Sequence, residues 1–239
     1  MKKMISMVSG NLILLFLAFL SQDCLAGVVI EQVVKDREGR PSRVFLSFSE
    51  DRFRTDHPES GQTTIINFRD DRIVLLDHSS KSYVDVKFSQ WEKEMTQQLK
   101  KSAPGMMSKA RKISVRKTGE TATISGFSTE KVEVMADGKL IEEDWMTRDV
   151  DMKEVGRVME KVATGFSKGL KSEMKEGREI YDKLKPHGFP ILVKDYTLSY
   201  GLGAIEVLEV KKFENKDLSE EVFAAPKGYK RIFPEPMRK

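Results

Sequence analysis

One stretch of the chain, residues 63–86, most constrains the fold. Its apolar runs Thr63–Phe68, Ile73–Leu76 and Tyr83–Val86 are separated by two short polar breaks. This spacing predicts three antiparallel strands joined by tight turns. The middle run is apolar on both faces, whereas a sheet with one hydrated face alternates apolar and polar residues. The sequence therefore predicts that another element covers the second face of this strand.

Similar runs on both sides of this stretch extend the predicted sheet, and two segments have helical periodicity. Ser89 opens the first helix, which Pro104 ends, and the second runs from Asp149 or Asp151 to about Lys185. Glycines inside the second helix each cost about 1 kcal/mol relative to alanine, which predicts a break near residues 165–169. The further strands are predicted at residues 28–34, 43–48, 52–56, 113–117, 121–124, 127–135, 139–146, 189–200 and 204–213.

The first 26 residues have the pattern of an export signal. Lys2 and Lys3 precede an apolar centre at Leu12–Leu20, and Cys24–Ala26 forms a small-residue cleavage site before Gly27. The apolar centre is shorter than the roughly 20 residues that span a bilayer. We therefore expect cleavage after Ala26, a periplasmic location and no transmembrane span in the mature chain. Gln22 and Asp23 argue against lipid attachment at Cys24.

The expected mature chain comprises a single domain over residues 27–233 and a loose tail over residues 234–239. It lacks cysteine, so its stability must come from a buried core and not from disulfides. Removal of Lys2, Lys3 and Asp23 leaves 39 basic and 36 acidic residues, a net charge of +3. This small, interspersed charge argues against a nucleic-acid-binding surface.

The sequence contains no pattern that predicts catalysis, a metal site or a cofactor. His57, His78 and His187 lie beside turn residues without ligand spacing, and a surface position is the default prediction for them. The carboxylate clusters Asp70–Asp71 and 142–144 lack the alternating oxygen ligands of a calcium loop, which favours solvated positions. No nucleophile-elbow, zinc-protease or phosphate-loop motif occurs.

Several motifs together resemble the LolA/LolB-like periplasmic lipoprotein carriers. They are Phe53–Asp56 with Pro58, the run from Thr64 to Asp77, and the ending Leu218–Phe223 with Pro226, Gly228 and Tyr229. The pair Ile124–Phe127 with Trp145 resembles an uncharacterised branch of that superfamily, a domain of unknown function in exported bacterial proteins. The resemblance implies an α+β fold, in which a curved antiparallel sheet, an incomplete barrel, carries helices on its concave face. Ser49 stands where the carriers have an arginine that holds the helical lid.

The resemblance and the apolar helix stripes lead to a functional hypothesis. We expect a non-enzymatic protein that holds a lipid, an acyl chain or the anchor of a lipidated protein between the sheet and a helical lid. The alternative is an interaction module of the same fold, which docks an envelope protein and binds no lipid. The residues expected to line the apolar cavity are Leu46, Phe48, Ile66, Phe68, Val74, Leu76, Trp91, Met95, Met159, Val162 and Phe166.

Overall fold

The computed structural model describes residues 24–36, 39–102, 111–167, 173–196 and 207–233. Residues 1–23, which are most of the expected signal segment, and the expected loose tail after residue 233 lie outside this part. The strands are β1 (Cys24–Lys35), β2 (Pro41–Ser49), β3 (Arg52–His57), β4 (Gln62–Asn67), β5 (Arg72–Asp77), β6 (Ser82–Lys87), β7 (Ile113–Ile124), β8 (Phe127–Ala136), β9 (Lys139–Thr147), β10 (Phe189–Asp195), β11 (Val207–Ser219) and β12 (Lys230–Arg231). The helices are α1 (Phe88–Ser102), α2 (Lys153–Ser167) and α3 (Glu173–Leu184).

All twelve strands form one open, curved sheet. Its order is β12-β6-β5-β4-β3-β2-β1-β11-β10-β9-β8-β7, and every neighbouring pair is antiparallel except β12 and β6. The first strand, β1, therefore lies in the middle of the sheet, where it pairs with β2 on one side and β11 on the other. The predicted α+β fold with a curved antiparallel sheet is confirmed.

The turns of the meander explain its regular spacing. Glu50, Gly61, Asp71 and Lys81 each precede the next strand, and each has a positive φ, between 47° and 64°. A residue in this left-handed region closes the tight turn that returns the chain to its neighbouring strand. The predicted strands of residues 63–86 therefore match β4, β5 and β6 to within one or two residues.

The segment predicted as a single helix to Lys185 contains two helices, α2 and α3, and residues 168–172 between them lie outside the described part. Arg178 of α3 and Glu160 of α2 form an ion pair of 2.6 Å. In a continuous helix, 18 residues would separate them by about 27 Å along the axis. The chain therefore turns back between the helices. The predicted break near residues 165–169 includes the end of α2, whereas the reversal of direction was not predicted.

The helices lie on one face of the sheet, which we call the helix face. Helix α1 packs on β5 and β6, α2 on β1 and β2, and α3 on β7 and α2. Ile73 of β5 is fully buried on this face, in a cluster with Phe88 and Trp91 of α1. The core therefore includes a layer between the helices and the sheet.

The opposite face of the meander is covered by residues 220–231, which we call the C-terminal strap. It comprises the 3₁₀ turn Glu220–Phe223, the following loop and β12. Phe223 and Tyr229 of the strap pack on Ile65, Val74 and Leu76. The second cover that the apolar strand β5 requires is thus the strap and not a helix.

The first strand begins within the segment that the sequence predicts to be removed. Cys24, Leu25 and Ala26 pair with Ser219, Leu218 and Asp217 of β11. The Ser49 hydroxyl also donates a hydrogen bond of 3.0 Å to the Ala26 carbonyl. Cleavage after Ala26 therefore stays a prediction, and it would shorten β1 by three residues.

Candidate apolar binding site

A row of apolar side chains crosses the helix face at one register. Phe48 of β2 lies opposite Phe53 of β3, which lies opposite Ile66 of β4, which in turn lies opposite Ile73 of β5. Directly opposed residues on neighbouring strands point to the same face. We call these four residues, together with Phe68 after β4, the apolar floor.

Ring contacts make the floor continuous from one helix to the other. The Phe48 and Phe53 ring centroids are 5.0 Å apart, and the Phe68 and Phe88 centroids are 5.3 Å apart. Phe88 stacks on Trp91 of α1 at 6.1 Å. Phe53 and Phe68 each pack against both the cluster beneath α1 and the cluster beneath α2. The two helices therefore share a single apolar surface.

Some apolar side chains of helix α2 are buried against this surface, and others remain partly exposed to solvent. Val155 and Val158 are buried, with 1% and 0% of their surface exposed. Met159 and Val162, on the next turn, are only half-buried against the same cluster. Phe53, Phe68, Trp91 and Met95 are half-buried as well. The region between α1 and α2 is thus apolar and incompletely sealed.

Eight of the eleven predicted wall residues lie on the helix face. Leu46, Phe48, Phe68, Met159 and Val162 belong to the cluster beneath α2. Ile66 and Trp91 belong to the cluster beneath α1, and Met95 is half-buried on α1, one turn after Trp91.

Two predicted wall residues, Val74 and Leu76, were assigned to the wrong face. Val74 pairs directly with Ile65, and both pack under the C-terminal strap with Leu76. Successive strand residues point to opposite faces, so Ile73 occupies the position on the helix face. The side chain of Phe166 lies outside the described residues.

Phe53, Ile73 and Phe88 belong to the site although the prediction omitted them. Phe53 is directly opposite Phe48, and Ile73 is directly opposite Ile66. A strand alignment that placed residues 48, 53, 66 and 73 at one register would have found the first two. Phe88 begins α1 and joins the site through the packing of that helix on the sheet, which strand register does not predict.

An ion pair closes one edge of the site. Lys161 of α2 contacts Asp51 in the turn between β2 and β3. Its hydrogen bond holds the pKa of Asp51 below the usual value, and the charges of Arg69 and Arg157 add to this effect. The pair therefore ties α2 to the rim of the sheet.

Arg52 and Arg54, which are close to Ser49 in the sequence, contact the C-terminal strap. Ser49, where the carriers have their lid arginine, is fully buried. Arg52 contacts Glu220 at 2.8 Å, and Arg54 donates to the Val222 carbonyl at 2.7 Å. These contacts fasten the strap on the opposite face, whereas Lys161 forms an ion pair between α2 and the turn after β2.

His78 departs from the predicted surface position. It is half-buried, with its Nδ1 atom 2.6 Å from the Tyr229 hydroxyl of the strap and its Nε2 atom 2.8 Å from the Thr63 hydroxyl. Thr63 in turn donates to Asp56 at 2.5 Å. Thr63 is 2% exposed, and the network joins the strap to the meander.

The carboxylate cluster of β9 also departs from its predicted solvated position. Glu142 and Asp144 are 5% and 0% exposed. Within the part of the chain that the structure describes, no group of three or more His, Cys, Asp or Glu side chains is arranged to hold a metal ion. In the same residues, no helix has both the length and the apolar character to cross a bilayer.

Two surface clefts lie away from the apolar floor. One of about 400 Å³ lies between β1, β11 and the start of α2, and one of about 580 Å³ lies beside the hairpin of β7 and β8. Their walls combine polar and apolar groups, and none of the eleven predicted wall residues lines either cleft. The apolar site is therefore a partly covered surface and is distinct from both clefts.

Three solved structures resemble the chain at low identity. PNGF-II has 10% identity and a TM-score of 0.36, with 87% of this chain and 31% of that chain covered. MucB has 11% identity and a TM-score of 0.39, with 86% and 58% covered. A LolA superfamily protein from Nitrosomonas europaea has 10% identity and a TM-score of 0.29, with 85% and 91% covered. The chain thus spans about a third of the first and just over half of the second.

No curated protein matches the sequence. One family model, described as "Domain of unknown function (DUF4412)", matches residues 37–229. The matched region includes the apolar floor, the three helices and most of the C-terminal strap.

Proposed function

The chain belongs to the family described as Domain of unknown function (DUF4412), and we propose that it is a non-enzymatic, periplasmic binding protein for an apolar ligand. The ligand lies between the apolar floor and helices α1 and α2. It is a lipid, an acyl chain or the anchor of a lipidated protein. The observation that supports the proposal is the half-buried apolar surface between the two helices, which continues onto a fully apolar sheet row.

The size of the hydrophobic term makes such binding feasible. An acyl chain that removes about 300 Å² of apolar surface from water gains about 7 kcal/mol at 25 cal/mol per Å². Part of this gain is lost to immobilisation of the ligand and ordering of the side chains. On the protein side, the half-buried residues Phe53, Phe68 and Met159 supply part of the apolar surface that binding removes from water. Methionine also adapts to ligands of different shape.

Ligand entry also requires that helix α2 can move away from the sheet at a small cost in free energy. Gly156 lies inside α2 with nothing within 4 Å of the position of a Cβ atom, and Gly165 lies in its last turn. Each glycine weakens the helix by about 1 kcal/mol relative to alanine. The contact between Lys161 and Asp51, as an exposed pair, contributes at most about 1 kcal/mol. A ligand that binds the closed form better therefore shifts the population toward it.

Tryptophan fluorescence provides a direct test. Trp91 lies at the apolar floor, whereas Trp145 lies beneath Lys131, 5.8 Å from its ammonium group. In a Trp145→Phe variant, Trp91 is the sole reporter. Dodecanoic acid should shift its emission saturably, and hexanoic acid should bind far more weakly, because each lost methylene group removes about 0.8 kcal/mol. Equal responses to both acids would contradict a chain-binding surface.

A matched pair of valine variants locates the site. Val162 is half-buried beside the floor, and Val115 is half-buried beside the separate cluster under α3. Val162→Asp should weaken dodecanoic acid binding at least tenfold, whereas Val115→Asp should leave it unchanged. The thermal midpoint of each variant shows whether it is folded. Loss of binding in both folded variants, or in neither, would exclude this site.

Native mass spectrometry of protein purified from a bacterial periplasm tests the location and the source of the ligand. A bound mass of a fatty acid or phospholipid indicates a free lipid, and a bound lipopeptide indicates a lipidated protein. A ligand-free protein that is not stabilised by either class would overturn the proposal.

Docking of an envelope protein is the second candidate function. It is favoured by the extent to which the floor is filled by its own rings, such as the stacked pair Phe88 and Trp91. A specific partner that is lost from Val162→Asp, in the absence of any dodecanoic acid response, would support this function over lipid binding.

A further inference from the structure

The cleft of about 580 Å³ beside the hairpin of β7 and β8, which we call the polar cleft, has a donor-rich wall. Its volume lies in the range of small-molecule sites, about 300–1,000 Å³. The lining residues come from the hairpin, from the end of β9 and from the 3₁₀ turn before β10. It shares none of them with the apolar floor, so it is independent of the function proposed above.

Arg148 presents a guanidinium group to this cleft. Its Nη2 atom donates to the Pro186 carbonyl at 3.3 Å, which holds the side chain against the turn before β10. Within the described residues no carboxylate lies in ion-pair contact with Arg148, although its charge helps to lower the pKa of nearby Glu130. Its remaining N–H groups form a planar fork, the geometry that matches a carboxylate or a phosphate.

His187 adds a second donor. Its Nδ1 atom is buried and has no hydrogen-bond partner among the described residues. Burial lowers the pKa of His187, and the nearby charge of Lys117 lowers it further, so the ring is neutral at pH 7. A buried N–H without a partner is rarer than a lone pair without one. We therefore assign the proton to Nε2, where it can donate into the cleft.

Acceptors and hydroxyl groups complete the wall. Glu130 is held by Lys117 at 2.8 Å, and this hydrogen bond lowers the pKa of Glu130, so it stays charged. Asp149 accepts the Ser128 backbone N–H at 2.9 Å. Both carboxylates can accept hydrogen bonds from ligand hydroxyl groups, and the exposed Thr121 and Thr123 can donate or accept.

We propose that the polar cleft binds an acidic saccharide, whose carboxylate lies at Arg148 and His187 and whose hydroxyl groups face Glu130 and Asp149. A bare anion would use the two donors, but it would place its charge near two carboxylates and make no use of their remaining acceptor positions. A neutral sugar would offer the N–H groups of the guanidinium fork no charged acceptor. Only a ligand that carries both an acid group and hydroxyl groups satisfies the whole wall.

The test compares two disaccharides that differ by one carboxylate. Cellobiouronic acid and cellobiose are titrated into the full-length protein and followed by calorimetry and amide chemical shifts. We expect cellobiouronic acid to bind at least tenfold more tightly, with shifts confined to the lining of the polar cleft. Arg148→Gln should reduce its affinity to that of cellobiose, and His187→Ala should weaken it at least threefold.

Arg43→Gln, at an exposed arginine of β2, is the matched control and should bind like the natural protein. Equal affinities for the two disaccharides, or unchanged binding by a folded Arg148→Gln variant, would overturn the proposal. So would inorganic phosphate binding as tightly as cellobiouronic acid, because the site would then recognise only the anion. Absence of any binding up to 10 mM, a concentration above the roughly millimolar affinity of a −4 kcal/mol site, would also overturn it.

Discussion

Three carboxyl groups lie close together on the helix face of β9 and β10. Glu142 is directly opposite Asp195, and Asp144 follows Glu142 on the same face. Asp144 is fully buried, and neither of its oxygens has a hydrogen-bond partner among the described residues. Burial raises the pKa of Asp144 well above its ordinary value, and the charge of Glu142 raises it further. Asp144 therefore retains its proton to higher pH in the folded protein than in the unfolded chain.

This protonation makes stability depend on pH. The folded state retains a proton that the unfolded chain releases above its ordinary pKa of 3.8. Stability should therefore fall as the pH rises from about 4 through the raised pKa. Asp144→Asn removes this loss, so it should raise the thermal midpoint at pH 7 and flatten the pH dependence of stability.

Glu143→Gln on the other face of β9 is the matched control, since Glu143 contacts Lys194 at the surface at 3.9 Å. Thermal melts between pH 4 and pH 8 should show the same pH slope for this variant and the natural protein. An Asp144→Asn variant with an unaltered slope would contradict the raised pKa of Asp144.

Gly188 is the glycine whose replacement should be most damaging. Its φ is +113°, and a Cβ atom there would lie 2.0 Å from the Thr147 carbonyl oxygen. Gly188→Ala should therefore lower the free energy of unfolding by about 3 kcal/mol or more, because β10 must move away from β9. Gly126 also has a positive φ, but no atom lies within 4 Å of the position of a Cβ atom there. Gly126→Ala should therefore lower the free energy of unfolding by only about 1 kcal/mol. Urea unfolding of both variants measures the difference, and equal losses would contradict the steric explanation.

At the scale of elements, helix α2 is a cover with a weak ionic tether. Lys161→Ala should increase hydrogen exchange of the α2 amides, because the contact with Asp51 is lost. A double-mutant cycle with Asp51→Asn should give a coupling of about 0.2–1 kcal/mol. The lowered pKa of Asp51 means that the tether is present above the ordinary value of 3.8 and is lost as the pH falls through the lowered value.

Lys183→Ala is the control for this tether. Lys183 pairs only within its own helix in the described structure, with Glu179 at 3.7 Å, so its loss should leave the exchange of α2 unchanged. A coupling near zero at pH 7 would show that Lys161 does not hold the cover.

The success of the sequence prediction differed between strands and helices. Ten-residue spacing and turn residues located β4, β5 and β6, because the turns are encoded locally. The reversal between α2 and α3 depends on tertiary contacts such as that between Arg178 and Glu160, and local periodicity does not encode it. The ion pair of Arg111 with Glu176 also fixes α3 from a distant part of the chain.

At the scale of the whole molecule, the C-terminal strap completes the core. Truncation after Ser219 removes Phe223 and Tyr229, which cover Val74 and Leu76. Loss of these two aromatic residues should lower stability by at least about 3 kcal/mol and expose a surface that binds a hydrophobic dye. Truncation after Phe233 removes none of these contacts and should behave like the full chain in unfolding and dye-binding measurements. Equal stability of the two truncated proteins would contradict a structural role for the strap.

The residues of the candidate site could be predicted only where the sequence shows which face of the sheet each strand residue points to. Phe48 and Phe68 lie on the helix face as expected, and polar or small residues flank each of them in the sequence. In β5, both faces are apolar, so the choice between Ile73 and Val74 depends on which cover lies above each face. The burial of Asp144 likewise could not be predicted from the sequence, because its cluster with Glu142 and Glu143 has the composition of a solvated segment.

The pairing of β1 with β11 joins residues that are nearly 200 positions apart in the sequence. A chain still emerging from the ribosome can form the meander early, but one flank of β1 stays unpaired until residues 207–219 have been synthesised. Nascent chains of intermediate length thus present an unsatisfied strand edge to other molecules, and assembly of the full sheet has to wait until β11 and β12 have been synthesised. A prematurely terminated product is consequently a substrate for chaperones and proteases, and not a smaller working version of the protein.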